Sequence, residues 1–233
     1  MLITGLDRKN LLAALPKGGI VAEIGVLRGN YSSQIWNIVE PETLHLIDPW
    51  GRLDEPNRHY PRSLMQEAHE TVKGKFRTAI EANRVVLHQH FSTNVAPEFS
   101  DHSFDWIYID GKHDYESVRA DLLAFRDKVK PTGFILGHDF STYRNPNKFG
   151  VVRAVREFTA REGFSLILVT NEKNPSYLLA RSDNDTTLPE LKSQLLDLEG
   201  GWPIEVSDAL LDRYEQVEVS HGEGKKGRIM KFS

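Results

Sequence analysis

Two short segments of this sequence carry carboxylates and imidazoles at spacings that could do chemistry together. One reads Asp110-Gly111-Lys112-His113-Asp114-Tyr115 and the other Gly137-His138-Asp139-Phe140. Two carboxylates meeting in a cleft repel unless a proton or a cation lies between them. Asp110 and Asp139 would therefore suit a hard divalent ion such as magnesium, with His138 as a third ligand. The histidine shifts the preference toward manganese, iron, nickel or zinc. An ion held there would lower the pKa of a bound hydroxyl and orient its oxygen. His113 and His138 compete for the role of general base, since an imidazole with a pKa of about 6.5 accepts a proton near neutrality. The same residues also admit a plainer reading. Asp110 and Asp139 would then cap helices and touch a substrate without metal, His113 would bond within its turn, and Tyr115 would anchor the next helix.

A second pattern is Glu23-x-Gly25-x-x-x-Gly29, within VAEIGVLRGN at residues 21–30. Glycines after a strand let a ligand approach the backbone where a side chain would obstruct it. Glu23 stands just before the turn, where a carboxylate can receive an ammonium group. Asp48 follows 25 residues later at the end of another apolar run, a position from which a carboxylate can accept both hydroxyls of a ribose. The spacing departs from the dinucleotide fingerprint G-x-G-x-x-G, which counts against a nicotinamide-dependent dehydrogenase. The alternative is a glycine-rich turn that serves packing alone and an Asp48 that caps a turn.

These residues need strand ends to converge on, and the apolar pattern supplies them. Ile20–Ile24, 44–47, Val85–His88, Phe104–Ile109 and 134–136 read as strands. Between them, residues 30–39, 62–82 and 115–129 show helical spacing, as does Val151–Arg161. Two closing strands at 164–169 and 177–180 are joined by a turn through Asn174 and Pro175, which predicts an antiparallel hairpin at an edge. Helices of this length between strands imply right-handed crossovers. The expected fold is a doubly wound α/β domain with a mostly parallel, seven-stranded sheet. In such sheets ligands bind beyond the carboxyl ends of the strands, at the switch in strand order. Residues 1–17 are expected to form a short helix beside the cleft. The domain is drawn over 1–182, and 183–233 is an extension, helical near 191–198, that could serve as a lid, a dimer contact or a partly disordered tail.

Taken together, VAEIGVLRGNYSS, LHLIDPWG, FDWIYIDGKHDYESVRADLLAF, GFILGHDF and GVVRAVREF resemble the class I S-adenosylmethionine-dependent methyltransferases with their Rossmann-like fold. The nearest resemblance is to the branch of macrocin-type small-molecule O-methyltransferases, over about two thirds of the chain. It implies S-adenosylmethionine as cofactor, with Glu23 and Gly25 lining its methionine part, Asp48 at the ribose, and Gly29 and Asp110 also among the cofactor-binding residues. It also implies that residues 90–92 lie near the adenine. Many relatives have an acid there, whereas this chain reads His90-Phe91-Ser92, so backbone groups, Ser92 or stacking on Phe91 would take that role. Metal-dependent relatives carry acids at the Asp110 and Asp139 positions. The implied reaction is methyl transfer to a hydroxyl of a sugar or other natural-product-like acceptor. The alternatives are a metal-independent N-methyltransferase and a non-catalytic cofactor-binding protein.

Composition bounds the partners. A net charge of −4 gives no general attraction to nucleic acid, and Lys225, Lys226 and Arg228 make too short a basic run to argue for RNA. The absence of cysteine excludes disulfides, thiolate metal sites and a cysteine nucleophile. No apolar run approaches the ~20 residues that cross a bilayer, and a cytoplasmic protein, possible as a homodimer, is expected. His88 and His90 alternate on one strand without acids beside them and are not read as metal ligands. Arg153 and Arg156 are read as solvated. The polar loop at 50–60, with Trp50, Arg52, Arg58, His59 and Tyr60, is expected either to cover a ligand or to pack as surface structure.

Overall fold

The computed structural model describes residues 1–51, 60–142, 149–201, 203–220 and 226–232. In chain order it forms β1 (Leu2–Thr4), α1 (Arg8–Leu11), β2 (Ile20–Ile24), α2 (Asn30–Val39), β3 (Thr43–Ile47), α3 (Arg62–Lys75), α4 (Arg77–Glu81) and β4 (Val85–His88). There follow α5 (Ser92–Val95), β5 (Phe104–Ile109), α6 (Tyr115–Phe125), β6 (Val129–Gly137), α7 (Val151–Arg161), β7 (Phe164–Thr170) and β8 (Tyr177–Arg181). The chain closes with α8 (Leu188–Asp197), β9 (Pro203–Glu205) and a hairpin of β10 (Tyr214–Ser220) and β11 (Lys226–Phe232).

Nine strands make the main sheet, in the order β4-β3-β2-β5-β6-β8-β7-β1-β9. The seven strands read from the sequence are all present, and β7 and β8 pair antiparallel as the hairpin pattern required. Strand order reverses between β2 and β5, so their carboxyl ends flank the crevice where a ligand fits. Alternation along the strands separates two cores. On β5, Trp106 and Tyr108 point into one, with Leu44, Ile35 and Phe134. Ile107 and Ile109 point into the other, with Leu122, Phe125 and Val155.

The sheet departs from expectation at its far edge. Residues 2–4 are a strand rather than part of a helix, pairing parallel with β7 and antiparallel with β9. Only Arg8–Leu11 and a following 3-10 turn are helical, begun by the Asp7 carboxylate accepting the Asn10 N–H at 2.8 Å. A three-residue strand has too little pattern to read, because its partners lie more than 160 residues away, as in Leu2 opposite Leu168. Helix 62–82 breaks at the buried Phe76 into α3 and α4. Helix 115–129 stops at Phe125, and β6 begins at Val129. Pro131 and Gly133 lie within β6, where the pairing with β5 shifts register.

Beyond residue 182, α8 packs Leu191 and Leu195 into the first core, and Tyr214 of the hairpin enters the second. No helix among the described residues is long and apolar enough to cross a membrane.

Candidate active site

The turn after β2 is held by charge and by the lack of a side chain. Gly25 has φ +88°, and a Cβ there would lie 2.2 Å from the Asp110 carbonyl oxygen at the end of β5. Only glycine allows this approach. Gly29, also left-handed at φ +66°, starts α2. Glu23 is fully buried and accepts a hydrogen bond from the Ser32 hydroxyl on α2. Burial pushes its pKa up to about 8, against the Ser32 bond, which pulls it down. Asp48, buried at the end of β3, braces the same turn. Its Oδ2 accepts the N–H groups of Val26 and Leu27, both at 2.9 Å, and its Oδ1 that of Trp50 at 2.8 Å. A carboxylate oxygen has two lone pairs, so Oδ1 keeps one for a further donor. The Trp50 indole donates to the Leu27 carbonyl at 2.9 Å and stacks on His69, which makes it a wall of the turn. Of the loop at 50–60, residues 52–59, with Arg52, Arg58 and His59, lie outside the described residues.

The second cluster stands at the ends of β5 and β6, which pair so that Ile109 faces Gly137. One oxygen each from Asp110 and Asp139 and one ring nitrogen from His113 lie within 4.8 Å of one another. His113 Nδ1 is 3.2 Å from Asp139 Oδ2. His138 Nδ1 stands between the carboxylates, 3.4 Å from Asp110 Oδ1 and 3.3 Å from Asp139 Oδ2. Burial lowers the pKa of His138, but hydrogen bonds to the two acids outweigh it and raise it to about 9. His138 is therefore a cation at neutral pH in this arrangement. Asp139 has the left-handed φ of +59°, and Asn174 in the turn between β7 and β8 donates to its Oδ1 at 2.8 Å. Asn174 is in turn bonded by Arg228 of β11 at 3.1 Å.

Three residues of this region carried no signal in the sequence reading. Arg8 of α1 donates from Nη1 to Asp110 Oδ2 at 2.9 Å. Asn174 belongs to a turn chosen for its shape. Asp121 on α6 is buried, with a carboxyl raised by burial to about 6, and accepts the hydroxyl of Ser92 at the start of α5. An aspartate within an amphipathic helix reads as solvated, and only its burial marks it out. Asp121 brings an acid to the segment 90–92, where the sequence itself has none. Phe91, half-buried, caps α5 beside it.

Other marked residues have settled partners. Tyr115 donates to Glu157 of α7 at 2.5 Å, tying α6 to α7. Arg153 lies over the Tyr115 ring at 4.1 Å. His88 pairs with His45 at 3.0 Å rather than with His90, and burial pushes His45 down to about 4. Two neutral rings stacked among Phe99 and Phe104 are core, not metal ligands.

A fold with this sheet order has known counterparts. The family described as Methyltransferase domain matches residues 22–140, just over half of the chain. The chain belongs to that family. It is an S-adenosylmethionine-dependent methyltransferase. Solved structures share the methyltransferase fold. A Corynebacterium glutamicum protein is 17% identical at a TM-score of 0.53, over 74% of this chain and 79% of its own. The Bacillus subtilis M1A22 tRNA methyltransferase TrmK is 15% identical at 0.52, over 77% and 68%. A Streptococcus mutans protein in complex with SAH is 9% identical at 0.51, over 73% and 93%. No curated protein matches the sequence. In this methyltransferase the crevice has two halves, the glycine turn with Glu23 and Asp48 and the acid cluster with its histidines.

Proposed function

We propose that this methyltransferase acts on a hydroxyl of a small molecule, in the manner of the macrocin-type branch, with a divalent metal at the acid cluster. The observation that carries the reading is the meeting of Asp110, His113 and Asp139 within 4.8 Å at adjacent strand ends. Two carboxylates and an imidazole fit an ion that accepts mixed oxygen and nitrogen ligands, manganese better than magnesium. Such an ion would supply positive charge to lower the pKa of an acceptor hydroxyl.

The cofactor end fits as well. The gap kept by Gly25, with no room for a Cβ, is a cradle that backbone can share with a ligand. Glu23 and Asp110 would hold the methionine end, and Asp48 Oδ1 would take one ribose hydroxyl. Ser92, backed by Asp121, and Phe91 would meet the adenine. Bound there, S-adenosylmethionine supplies a methyl group on a sulfonium that is already a good leaving group. The chain's own work is to exclude water and align the acceptor oxygen, which is where most of the rate gain in such a transfer lies. Where no ion is held there, His113, with Nδ1 donating to Asp139, would present its other nitrogen as acceptor for the hydroxyl proton.

A second reading keeps the same crevice without metal, and His138 favours it. Its imidazolium, set between Asp110 and Asp139, together with the Arg8 guanidinium on Asp110 already balances their charge. Calorimetric titration of S-adenosylmethionine, followed by turnover on a panel of hydroxylated and aminated acceptors with and without chelator, separates the two. Turnover of hydroxylated acceptors that chelator abolishes and manganese restores supports the metal reading. Chelator-insensitive turnover replaces it with the His138 reading, and turnover of amines alone overturns the hydroxyl assignment.

A further inference from the structure

Arg8 is the one residue of the N-terminal segment that reaches the centre of the crevice. Its place is built from several sides. The strand before it is pinned between β7 and β9, and its N–H donates to Glu172 at 3.0 Å. Its carbonyl accepts the Tyr31 hydroxyl at 3.2 Å. The guanidinium lies 4.8 Å over the ring of Tyr31, in the first turn of the helix that follows the glycine turn. From there one nitrogen reaches Asp110 at 2.9 Å, while the side chain stays about one-third exposed. The crevice thus presents the Asp110 carboxylate and one arginine, with Glu23 fully buried. That is the complement of an α-amino acid zwitterion, with an acid for the ammonium and a guanidinium fork for the carboxylate.

We propose that Arg8 receives the α-carboxylate of the methionine end of the cofactor, leaving Asp110 to do so. The inference rests on the cofactor reading given above. The exchange replaces one ion pair by two. Asp110 keeps His138 beside it and gains the ammonium, while Arg8 trades a single-nitrogen contact for a two-pronged one. The N-terminal segment, outside the glycine turn, then distinguishes S-adenosylmethionine from cofactor analogues that lack the carboxylate.

The test is calorimetry of S-adenosylmethionine and of its decarboxylated analogue against the full-length wild type, Arg8→Gln and Arg8→Lys. The wild type should prefer the carboxylated ligand by on the order of tenfold to a hundredfold, the usual worth of a charge-assisted bond. Arg8→Gln should bring the two affinities within about threefold of each other, chiefly by weakening S-adenosylmethionine. Arg8→Lys, which keeps the charge but not the fork, should fall between and answers the question if the glutamine variant does not fold. An undiminished preference in both variants overturns the assignment, as does a wild type that binds the two ligands equally. A wild type that binds neither ligand overturns the cofactor reading itself, and the role of Arg8 falls with it.

Discussion

The two halves of the crevice are stabilised in opposite ways. The glycine turn is internally satisfied: Asp48 spends three hydrogen bonds on backbone N–H groups within it, and Glu23 is buried with Ser32. The acid cluster is made of groups that hold one another through ion pairs. Asp110 and Asp139 share His138, and Asp139 holds a left-handed backbone conformation. Left-handed residues occur in both halves, Leu27 and Trp50 in the turn and Asp139 in the cluster, but the cluster sets ionisable side chains against one another, as functional sites do. The difference teaches that the first half is preformed to hold a ligand and the second is poised to change its contacts when one arrives.

The halves touch at Gly25, so the largest effect should come from there. A Cβ at this residue would strike the Asp110–Gly111 peptide at 2.2 to 2.6 Å and strain a φ of +88°. Gly25→Ala should cost about 3 kcal/mol or more in urea denaturation and remove measurable cofactor binding. A stable variant that binds normally would mean that the halves are not locked together there. Next in size are Asp110→Asn and Asp139→Asn. Each should lower turnover by roughly a hundredfold to a thousandfold, as loss of a preorganised charge does; Asp139→Asn should leave cofactor affinity nearly unchanged, whereas Asp110→Asn, which removes the carboxylate offered to the ammonium, should weaken it as well. Full activity in both would strip the acid cluster of its role.

A smaller effect separates the halves by pH. Glu23, with a pKa of about 8 in the fold against an ordinary 4.5, keeps a proton that the unfolded chain releases. Stability should therefore fall as pH rises from about 4.5 to 8, by at most about 1.4 kcal/mol per pH unit. His138, raised from 6.5 to about 9, holds its contribution fully below 6.5 and loses it between 6.5 and 9. In metal-free protein, Glu23→Gln should flatten the first window and His138→Gln the second. One profile changed identically by both variants would contradict a division into two independent halves.

The same division explains what the sequence could disclose. The glycine turn is local: Glu23, Gly25 and Gly29 sit within seven residues, and Asp48 ends the next strand. Asp110, His113, His138 and Asp139 were legible because two strand ends that become neighbours each carry a marked cluster. The partners that set their state were not. Arg8 bonds an acid 102 residues away, and Asn174 one 35 residues away. Asp121 looks like any polar helix residue until the packing of α5 on α6 buries it. Strands β1 and β9, which frame the arginine, exist only because the β7 edge is there to pair with them. Periodicity reports which face a residue takes, and long-range closure is settled by packing that leaves no local trace.

The smallest expected effect tests how far that closure reaches. Asn174 donates to Asp139 from the turn between β7 and β8 and is itself held by Arg228 of β11, so the C-terminal hairpin reaches the cluster through this amide. The hairpin has its own anchors, since Tyr214 donates to the Phe140 carbonyl at 2.9 Å and Gln216 bonds Thr142 and the 172–173 carbonyls. Removing the amide should therefore leave the fold in place and free only the orientation of Asp139. Asn174→Ala is expected to lower kcat by about threefold to tenfold, the worth of one modest hydrogen bond, with cofactor affinity unchanged. Asn174→Asp, which puts a third carboxylate beside Asp139, should lower it further and shift the pH profile upward. If both variants instead match the wild type, the hairpin is packing alone, and the acid cluster is positioned by its own two strands.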